Sequence, residues 1–523
     1  MPWQRSTGVR VGWRPDPLDS AQAMSPRSTA LPFGVFACVY LLALYMGGVM
    51  KSALQDGDTY WHIAAGKWIL EHGAIPRTDS FSHSMPGAIW TAHEWLSELI
   101  LAGFHDLFGW TGVVAVAAAA FATAVAHLGW ALRPIVAPRK RLILCLVAVL
   151  LTFPHFLARP HILVMPLLMV WTIGLVRASD NGKTPPLLLT GLIVIWANMH
   201  GSFTLGLLLA FIFAAESLVR ARTEGRLLEA AGPWLRFLSL ALLAGLVTPQ
   251  GVHGYLFTWE VMVDSKFSLA HIGEWASPNF HVFQPVLLWL LAAIALTLHM
   301  GLRLPPFRLL LVLLFIYLSL KHVRYIEFLG LLVPLFVAKP ISDQLERNDE
   351  GQSAHRDAGL VISQRSPSRT YASLAVGVAV AGSVLIHHLG AITPPEQIAP
   401  SKALAAARQA GVSGNVLNDY GWGGFLIYSG IPVFIDGRAD IYGDAFFKAH
   451  LEALDQRPPG SLEPLLDKHR ITWSLLRPDT PALGVLDRLP HWRRVYADDF
   501  AVVHKREGGA AHEVASANAR ESR

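Results

Sequence analysis

Asp56-Gly57-Asp58-Thr59-Tyr60-Trp61-His62 sets two carboxylates and an imidazole just past the first long apolar run, residues 31–50. The side of a membrane that this stretch faces decides how the rest of the chain is threaded. Of the 523 residues, 53% are hydrophobic and only 15% charged, and the mean hydropathy is +0.39. A soluble protein carries about 25% charged residues. Apolar runs recur from about residue 31 to 390, so the sequence predicts a polytopic α-helical membrane protein.

The net charge of +5 and pI near 9.2 do not point to nucleic acid, because the Lys and Arg residues sit in short blocks between apolar segments. Cys38 and Cys145 are the only cysteines and both lie inside apolar runs, which leaves no disulfide framework and no cysteine-based metal site. The run 31–50 is too long for a signal-peptide core and lacks a small-residue cleavage site before Lys51, so it reads as an uncleaved signal anchor. Residues 1–30 are polar and read as a disordered N-terminus.

About eleven transmembrane helices are expected, near 31–50, 111–131, 142–153, 162–176, 186–200, 203–219, 235–248, 284–300, 307–320, 325–338 and 371–390. Several are shorter than the ~20 residues a bilayer needs. The third and fourth can alternatively form a re-entrant pair, which leaves the parity of the later loops unchanged. When the connections are numbered alternately, one side collects Arg5, Arg10, Arg14 and Arg27, then Arg133, Arg139, Lys140 and Arg141, then Arg177 and Lys183. It also collects Arg220, Arg222, Arg226, Arg236, Arg303, Arg308, Lys339 and Arg347. By the positive-inside rule this side is cytoplasmic. The N-terminus is then inside, and residues 51–110 and everything after about 391 are outside.

A second sorting follows that was not used to build the first. Asp56, Asp58 and His62 fall on the outer side, as do His93, Glu94 and Glu98 of the same loop. Arg159 and His161, Asn198 and His200, Glu274, and His322 and Arg324 join them. Polar groups at span ends are costly to bury in lipid and mark a functional cavity. For each one taken singly the plain alternative is a helix cap, a solvated face or a snorkelling side chain.

In the 51–110 loop, Asp58 is placed to cap a helix running to about Glu71, ended by Gly73 and Pro76, with Asp58 and His62 on one face. Trp61, Trp68 and Ile69 are expected at the membrane interface. A second helix is expected from His93 to Phe108, with Glu94 and Glu98 one turn apart. His93-Glu94-Trp95-Leu96-Ser97 is not a zinc-protease motif, since serine stands where the second histidine belongs. Gly182-Lys183-Thr184 is not a phosphate loop, since Arg177 fills the upstream glycine position.

Residues 341–370 read as a cytoplasmic linker before the last span, 371–390. After it the composition shifts to an ordinary soluble mix, which predicts an extracytoplasmic α/β domain over 391–507. Helices are expected at 402–410, 445–455 and 462–468, and strands at 414–418, 432–436, 471–476, 493–497 and 500–504. Its densest polar run, Ile435-Asp436-Gly437-Arg438-Ala439-Asp440, is either a turn in which Asp436 and Arg438 pair, or an acid and a guanidinium presented to the membrane cavity. Residues 508–523 read as a disordered tail.

Aspartates 56 and 58 in a long helical outer loop after the first span, a multispan core and an outer C-terminal α/β domain resemble the GT-C superfamily of membrane glycosyltransferases. Asp56-x-Asp58-x-x-Trp61-His62, His93-Glu94-Trp95-Leu96 and Phe434-Ile435-Asp436-Gly437-Arg438-Ala439-Asp440 look like a bacterial group within it, over most of residues 31–505. The resemblance implies a polyprenyl-phosphate-linked sugar donor, a glycan, lipid or protein acceptor, a first-loop acid in catalysis, and a place in the bacterial inner membrane.

The residue chemistry agrees with that expectation. Sugar transfer from a lipid phosphate needs a base for the acceptor hydroxyl and positive charge for the leaving phosphate. Asp56 or Asp58 is the expected base, Asp56 preferred, with His62 orienting it. Arg159, Arg324 or Arg438 is expected to hold the phosphate, and His93, Glu94, His161, His200, Glu274, His322, Asp436 and Asp440 to line the substrate site. Alternatively Asp56, Asp58 and a histidine hold a divalent cation, Mg or Mn. Two other classes fit the composition: a lipid or polysaccharide transporter, and a non-catalytic envelope-assembly protein that docks through its C-terminal domain. A transporter would carry polar groups at mid-span and an internal repeat, and neither stands out in the sequence.

Overall fold

The computed structural model describes residues 26–264, 266–350, 369–389 and 392–507. The expected disordered stretches before residue 26 and after 507, and most of the expected linker, lie outside the described residues. The start of that linker is helical, because α14 runs on to Glu350.

The apolar part is built of helices in which long aliphatic runs end at Pro, Gly or charged residues. They are α1 (Pro26–Leu44), α2 (Asp58–His72), α3 (Trp95–Ala131), α4 (Pro138–Thr152), α5 (Pro160–Leu163), α6 (Met165–Asp180) and α7 (Gly191–Ala197). There follow α8 (Phe203–Thr223), α9 (Leu227–Ala244), α10 (His253–Asp264), α11 (Lys266–His271), α12 (Pro285–Met300), α13 (Pro306–Lys321), α14 (Ile326–Glu350) and α15 (Arg369–Leu389). The core helices α1, α3, α4, α6, α8 and α14 pack around Phe121, Trp171, Phe213 and Phe336. Among the described residues six helical stretches are long and apolar enough to cross a membrane: 31–49, 95–131, 203–223, 227–244, 323–347 and 370–388. The other five expected spans fall in helices of at most 16 residues, such as α4, α6 and α13.

The second helix expected in the 51–110 loop and the second expected span form one bent rod, α3, instead of two elements. The bend is at Gly109, whose φ of 59° and ψ of −152° need a residue without Cβ. The helix at its other end begins with Glu94 as cap residue and Glu98 in the first turn, where carboxylates meet the positive end of the helix dipole.

The C-terminal domain contains α16 (Ser401–Gln409), α17 (Gly423–Tyr428), α18 (Ala439–Asp455), α19 (Leu462–Lys468) and α20 (Leu483–Leu486). Its four-stranded sheet has the order β1-β2-β4-β3, from β1 (Asn415–Asn418), β2 (Ile471–Leu476), β3 (Trp492–Ala497) and β4 (Val502–Arg506). The β1 and β2 strands are parallel and the other pairs antiparallel. The expected strand at 432–436 does not join this sheet. Val433 instead bridges Ser82 of the 51–110 loop, through His83 N–H to Val433 O at 3.0 Å and Val433 N–H to Phe81 O at 3.0 Å.

That loop and the C-terminal domain are one packing unit. Tyr60, Trp61, Ala65 and Trp90 share an apolar core with Ala403, Trp422, Phe425 and Leu426. Trp61 and Ile69 are buried inside the protein, not placed at a lipid interface as expected, and the C-terminal domain covers Trp61. Only glycine permits so close an approach: a Cβ on Gly57 would run into the carbonyl oxygen of Gly421, and one on Gly424 into that of Gly57. Charged groups gather at two separate ends. Asp56, Arg159, Glu274 and Arg324 meet at one, and Asp180, Glu216 and Arg308 at the other.

Candidate active site

Arg159 is the hub of the first end. It stands in extended backbone (φ −130°, ψ 166°), as expected before Pro160, which starts α5. Its guanidinium reaches Asp56 Oδ2 at 2.7 Å, Asp58 Oδ2 at 2.9 Å and Glu274 Oε2 at 2.9 Å. Glu274 Oε1 also accepts from Arg324 at 3.1 Å, and the Arg324 guanidinium lies 4.5 Å from the Trp275 ring centroid. His322 Nδ1 meets the Trp275 carbonyl at 2.5 Å, and Val323 N–H donates to Ala276 O at 3.0 Å, so His322 fixes the turn that carries Glu274. The same turn is tied to the C-terminal domain through α11: Asp444 of α18 accepts from the Phe267 and Ser268 amides at 2.8 and 2.9 Å.

The two first-loop aspartates have different local jobs. Asp58, expected as the helix cap, has its own amide held by Asp56 Oδ1 at 2.9 Å, so Asp56 makes the capping turn. The Asp58 carboxyl is pushed up to about 7 by burial, then by the Asp56 charge, against the pull of Arg159. Burial would also raise Glu274, but Arg159 and Arg324 outweigh it and hold that carboxyl at about 2. Gly437 of the outer domain closes directly over Asp58, and Tyr420 lies in its field.

A second group surrounds Glu94. His62 Nε2, His93 Nε2 and His200 Nε2 stand 3.7, 3.7 and 3.4 Å from its carboxylate oxygens. His62 Nδ1 also faces Glu98 Oε1 at 3.5 Å. Burial raises Glu94 to about 7 and drives His62 and His93 down, so at neutral pH the imidazoles are uncharged and Glu94 is about half ionised. His200 Nδ1 accepts from the Ser202 amide at 3.0 Å, which puts its proton on Nε2, facing Glu94. His62 Nδ1 and Glu98 Oε2 are buried and lack a hydrogen-bond partner among the described residues. His161 Nε2 sits 3.9 Å from Glu327 Oε2 beside the Arg159 hub.

Asp436 and Arg438 do not reach into this recess, contrary to their expected place in the substrate site. The Arg438 Nε and Nη2 groups grip Asp436 at 2.8 and 2.7 Å, and Nη1 grips Asp79 at 2.7 Å. Tyr442 donates to Asp436 at 2.6 Å, and the guanidinium lies over Trp90 at 4.8 Å and Phe81 at 5.2 Å. All three nitrogens are spent in a sealed clamp between the first loop and the outer domain, so Arg438 is not placed to hold phosphate. Asp440, one turn on, keeps accessible surface and lies within electrostatic reach of His93. Asn198 is also structural: it accepts from Trp95 Nε1 at 2.8 Å and donates to Val194 O and Val247 O, both at 2.8 Å.

The donor set does not fit a divalent cation bound by Asp56 and Asp58. Arg159 occupies the position between their oxygens, and His62 points away to Glu94 and Glu98. Among the described residues no group of three or more His, Cys, Asp or Glu side chains forms a metal-binding set. Asp79, Tyr442 and Tyr420 were not singled out from the sequence. The signal for the close approach was present in Gly421-Trp422-Gly423-Gly424, a glycine density that a mere strand connection does not need.

A bent helical core, a long loop carrying paired acids, and a C-terminal α/β domain closed upon that loop make up the fold. Two solved structures share it. One is the archaeal oligosaccharyltransferase AglB from Archaeoglobus fulgidus, in complex with an inhibitory peptide and a dolichol-phosphate, with a TM-score of 0.51, 10% identity, and coverage of 85% of this chain and 69% of that one. The other is ArnT from Cupriavidus metallidurans bound to undecaprenyl phosphate, with a TM-score of 0.50, 14% identity, and coverage of 93% of this chain and 100% of that one. At these identities the likeness establishes the fold. No family model matches the sequence, and no curated protein matches it at a significant level.

Proposed function

We propose that this chain is a membrane glycosyltransferase that moves a sugar from a polyprenyl-phosphate-linked donor to an acceptor on the extracytoplasmic face of a bacterial inner membrane. The observation that carries the reading is the Arg159 hub, where Asp56, Asp58 and Glu274 converge beside Arg324. Each of these side chains keeps between 17 and 23% of its surface accessible, so the hub is reachable. The fold shared with AglB and ArnT, solved with dolichol-phosphate and undecaprenyl phosphate respectively, supports a lipid phosphate as the group recognised.

In this reading Asp58 takes the proton of the acceptor hydroxyl. A carboxyl near 7 is half ionised at neutral pH and holds its proton well once it has received it. The acceptor oxygen forms its bond to the anomeric carbon as the bond from that carbon to the phosphate oxygen breaks, and the electron pair leaves on the lipid phosphate. Arg159 spends both Nη groups on three carboxylates and serves to hold Asp58 in place. Arg324 gives a single hydrogen bond to Glu274 and has N–H groups to spare, so it is the cation for the leaving phosphate. Asp56 positions Asp58 through its amide, and Glu94 with His62, His93 and His200 lines the sugar or acceptor side.

The test is sugar transfer in membranes from polyprenyl-phosphate donors by Asp58→Asn and Asp56→Asn. The first should abolish turnover, and the second should cut it deeply. Wild-type rates in both would rule the reading out.

A further inference from the structure

At the end opposite the Arg159 hub, a cavity of about 560 Å³ opens between the ends of α6, α8 and α14 and the start of α13. Its volume is in the range of sites that hold a small ligand. Five cations line it, Arg220, Arg303, Arg308, Lys339 and Arg347, against three carboxylates. The carboxylates are all engaged. Arg308 binds Glu216 through Nε at 2.8 Å and Asp180 through Nη2 at 2.8 Å, and Lys339 holds Asp343 at 3.1 Å.

Three cationic donors are left over. Arg308 is 2% exposed, and its Nη1 is buried without a hydrogen-bond partner among the described residues, a costly state for a charged group. Arg303 and Arg347 have no carboxylate partner among the described residues. Arg303 is nonetheless held in place, because Gln344 accepts its amide at 2.9 Å and donates to Gly301 O at 3.0 Å, which pins the α12–α13 turn to α14. The first turn of the 16-residue α13 opens on the same cavity through Pro305 and Arg308 and adds the positive end of its dipole.

We propose that this cavity binds a phosphate-bearing anion, and that its occupant is the headgroup of an anionic phospholipid of the inner leaflet. Its residues belong to the set that the positive-inside rule assigns to the cytoplasmic side. The exposed apolar faces of α12 and α13 (Leu298, Leu309, Leu310) run from its rim, so an acyl chain can lie along protein while the headgroup meets Arg303, Arg308 and Arg347. The site is independent of the transfer chemistry. It ties α13 and α14 to α6 and α8, and its occupancy stabilises the folded bundle.

The experiment is thermal unfolding of the purified full chain in a neutral detergent, with phosphatidylglycerol, phosphatidylcholine or inorganic phosphate added, read beside native mass spectrometry for retained lipid. Phosphatidylglycerol should raise the melting temperature by about 2–4 °C, and phosphatidylcholine should not. The double variant Arg303→Gln/Arg347→Gln, in exposed groups that pack against nothing essential, should melt normally without lipid and lose about half or more of the shift and the retained lipid. An equal shift from inorganic phosphate alone, with no lipid retained, keeps the anion site and overturns the lipid as its occupant. No shift from either anion, or a full shift in the double variant, overturns the site.

Discussion

Two of the protein's arginine–carboxylate clusters have nearly equal bond lengths and opposite character. Arg438 meets Asp79 and Asp436 at 2.7 Å each, with side-chain exposures of 1% or less. Arg159 meets Asp56, Asp58 and Glu274 at 2.7–2.9 Å, with exposures of 17–22%. In the first, every acid oxygen facing the guanidinium has a further donor, from the Tyr442 hydroxyl and from the Arg438 and Phe81 amides, and Asp436 is held below the usual carboxylate range despite its burial. In the second, three acids gather around Arg159, with Arg324 bonded to Glu274 alone, and burial together with the Asp56 charge leaves the Asp58 carboxyl near 7. A balanced, sealed cluster holds two parts of the chain together. An over-supplied, reachable one has a proton to exchange.

The sharpest way to break that comparison is to neutralise one acid in each. Asp58→Asn should lower the transfer rate by about 10²–10⁴-fold while the melting temperature stays level or rises, because a crowded carboxyl has been removed. Arg438→Met should do the reverse. It leaves Asp79 and Asp436 buried without their cation, at a cost of about 3–5 kcal/mol, read as lost melting temperature and yield, while the folded fraction keeps its specific activity. If Arg438→Met instead spares stability and abolishes transfer, the division between the two clusters is wrong.

A smaller effect, on the joint between them, is expected from Gly424→Ala. The new methyl meets the Gly57 carbonyl, and a tightly packed joint yields to such overpacking at about 1–3 kcal/mol. Limited proteolysis should cut the 56–110 loop faster, with activity falling as the Asp56-Gly57-Asp58 turn moves.

The pH dependence separates the roles further. Asp58 titrates at about 7 in the folded chain and lower when unfolded, so between about pH 4 and 7 the native state keeps a proton that the unfolded state has lost. Stability therefore falls as pH rises through that window and levels off above it, while transfer, which needs the ionised base, rises through about 7. Glu94, also raised to about 7, adds to the stability slope, so Asp58→Asn should flatten the melting profile only in part yet remove the rate limb near 7. The smallest change is expected from His322→Ala. Losing its bond to the Trp275 carbonyl should cost about 0.5–1.5 kcal/mol, seen as a several-fold drop in turnover from a mispositioned Glu274.

Much of the plan was legible in the chain. The hydropathy runs and the sorting of basic residues placed Asp56, Arg159, His200, Glu274 and Arg324 in outer connections, and those residues meet at one end of the molecule. The roles within the site were less legible. Asp436 and Arg438 form one motif with Asp440, yet the first two are sealed in the clamp and only the third stays accessible. No spacing rule separates these outcomes, because the partner that seals the pair, Asp79, comes from a loop more than 350 residues away. The exchange of roles between Asp56 and Asp58 has the same origin. Either aspartate can cap α2 by sequence, and the choice follows from where Arg159 and Gly437 press on them.

The sequence by itself predicted a helical membrane bundle followed by a small α/β domain, and the structure has both. Apolar run length and charge placement answer to the bilayer before any tertiary contact forms. Only the tertiary structure decided that the long loop after the first apolar helix belongs to the core of the C-terminal domain, and that one arginine cluster is sealed and the other accessible. The physical reason is that burial and the count of charges around a guanidinium are properties of the assembled fold. Identical side chains acquire opposite functions from the company they keep.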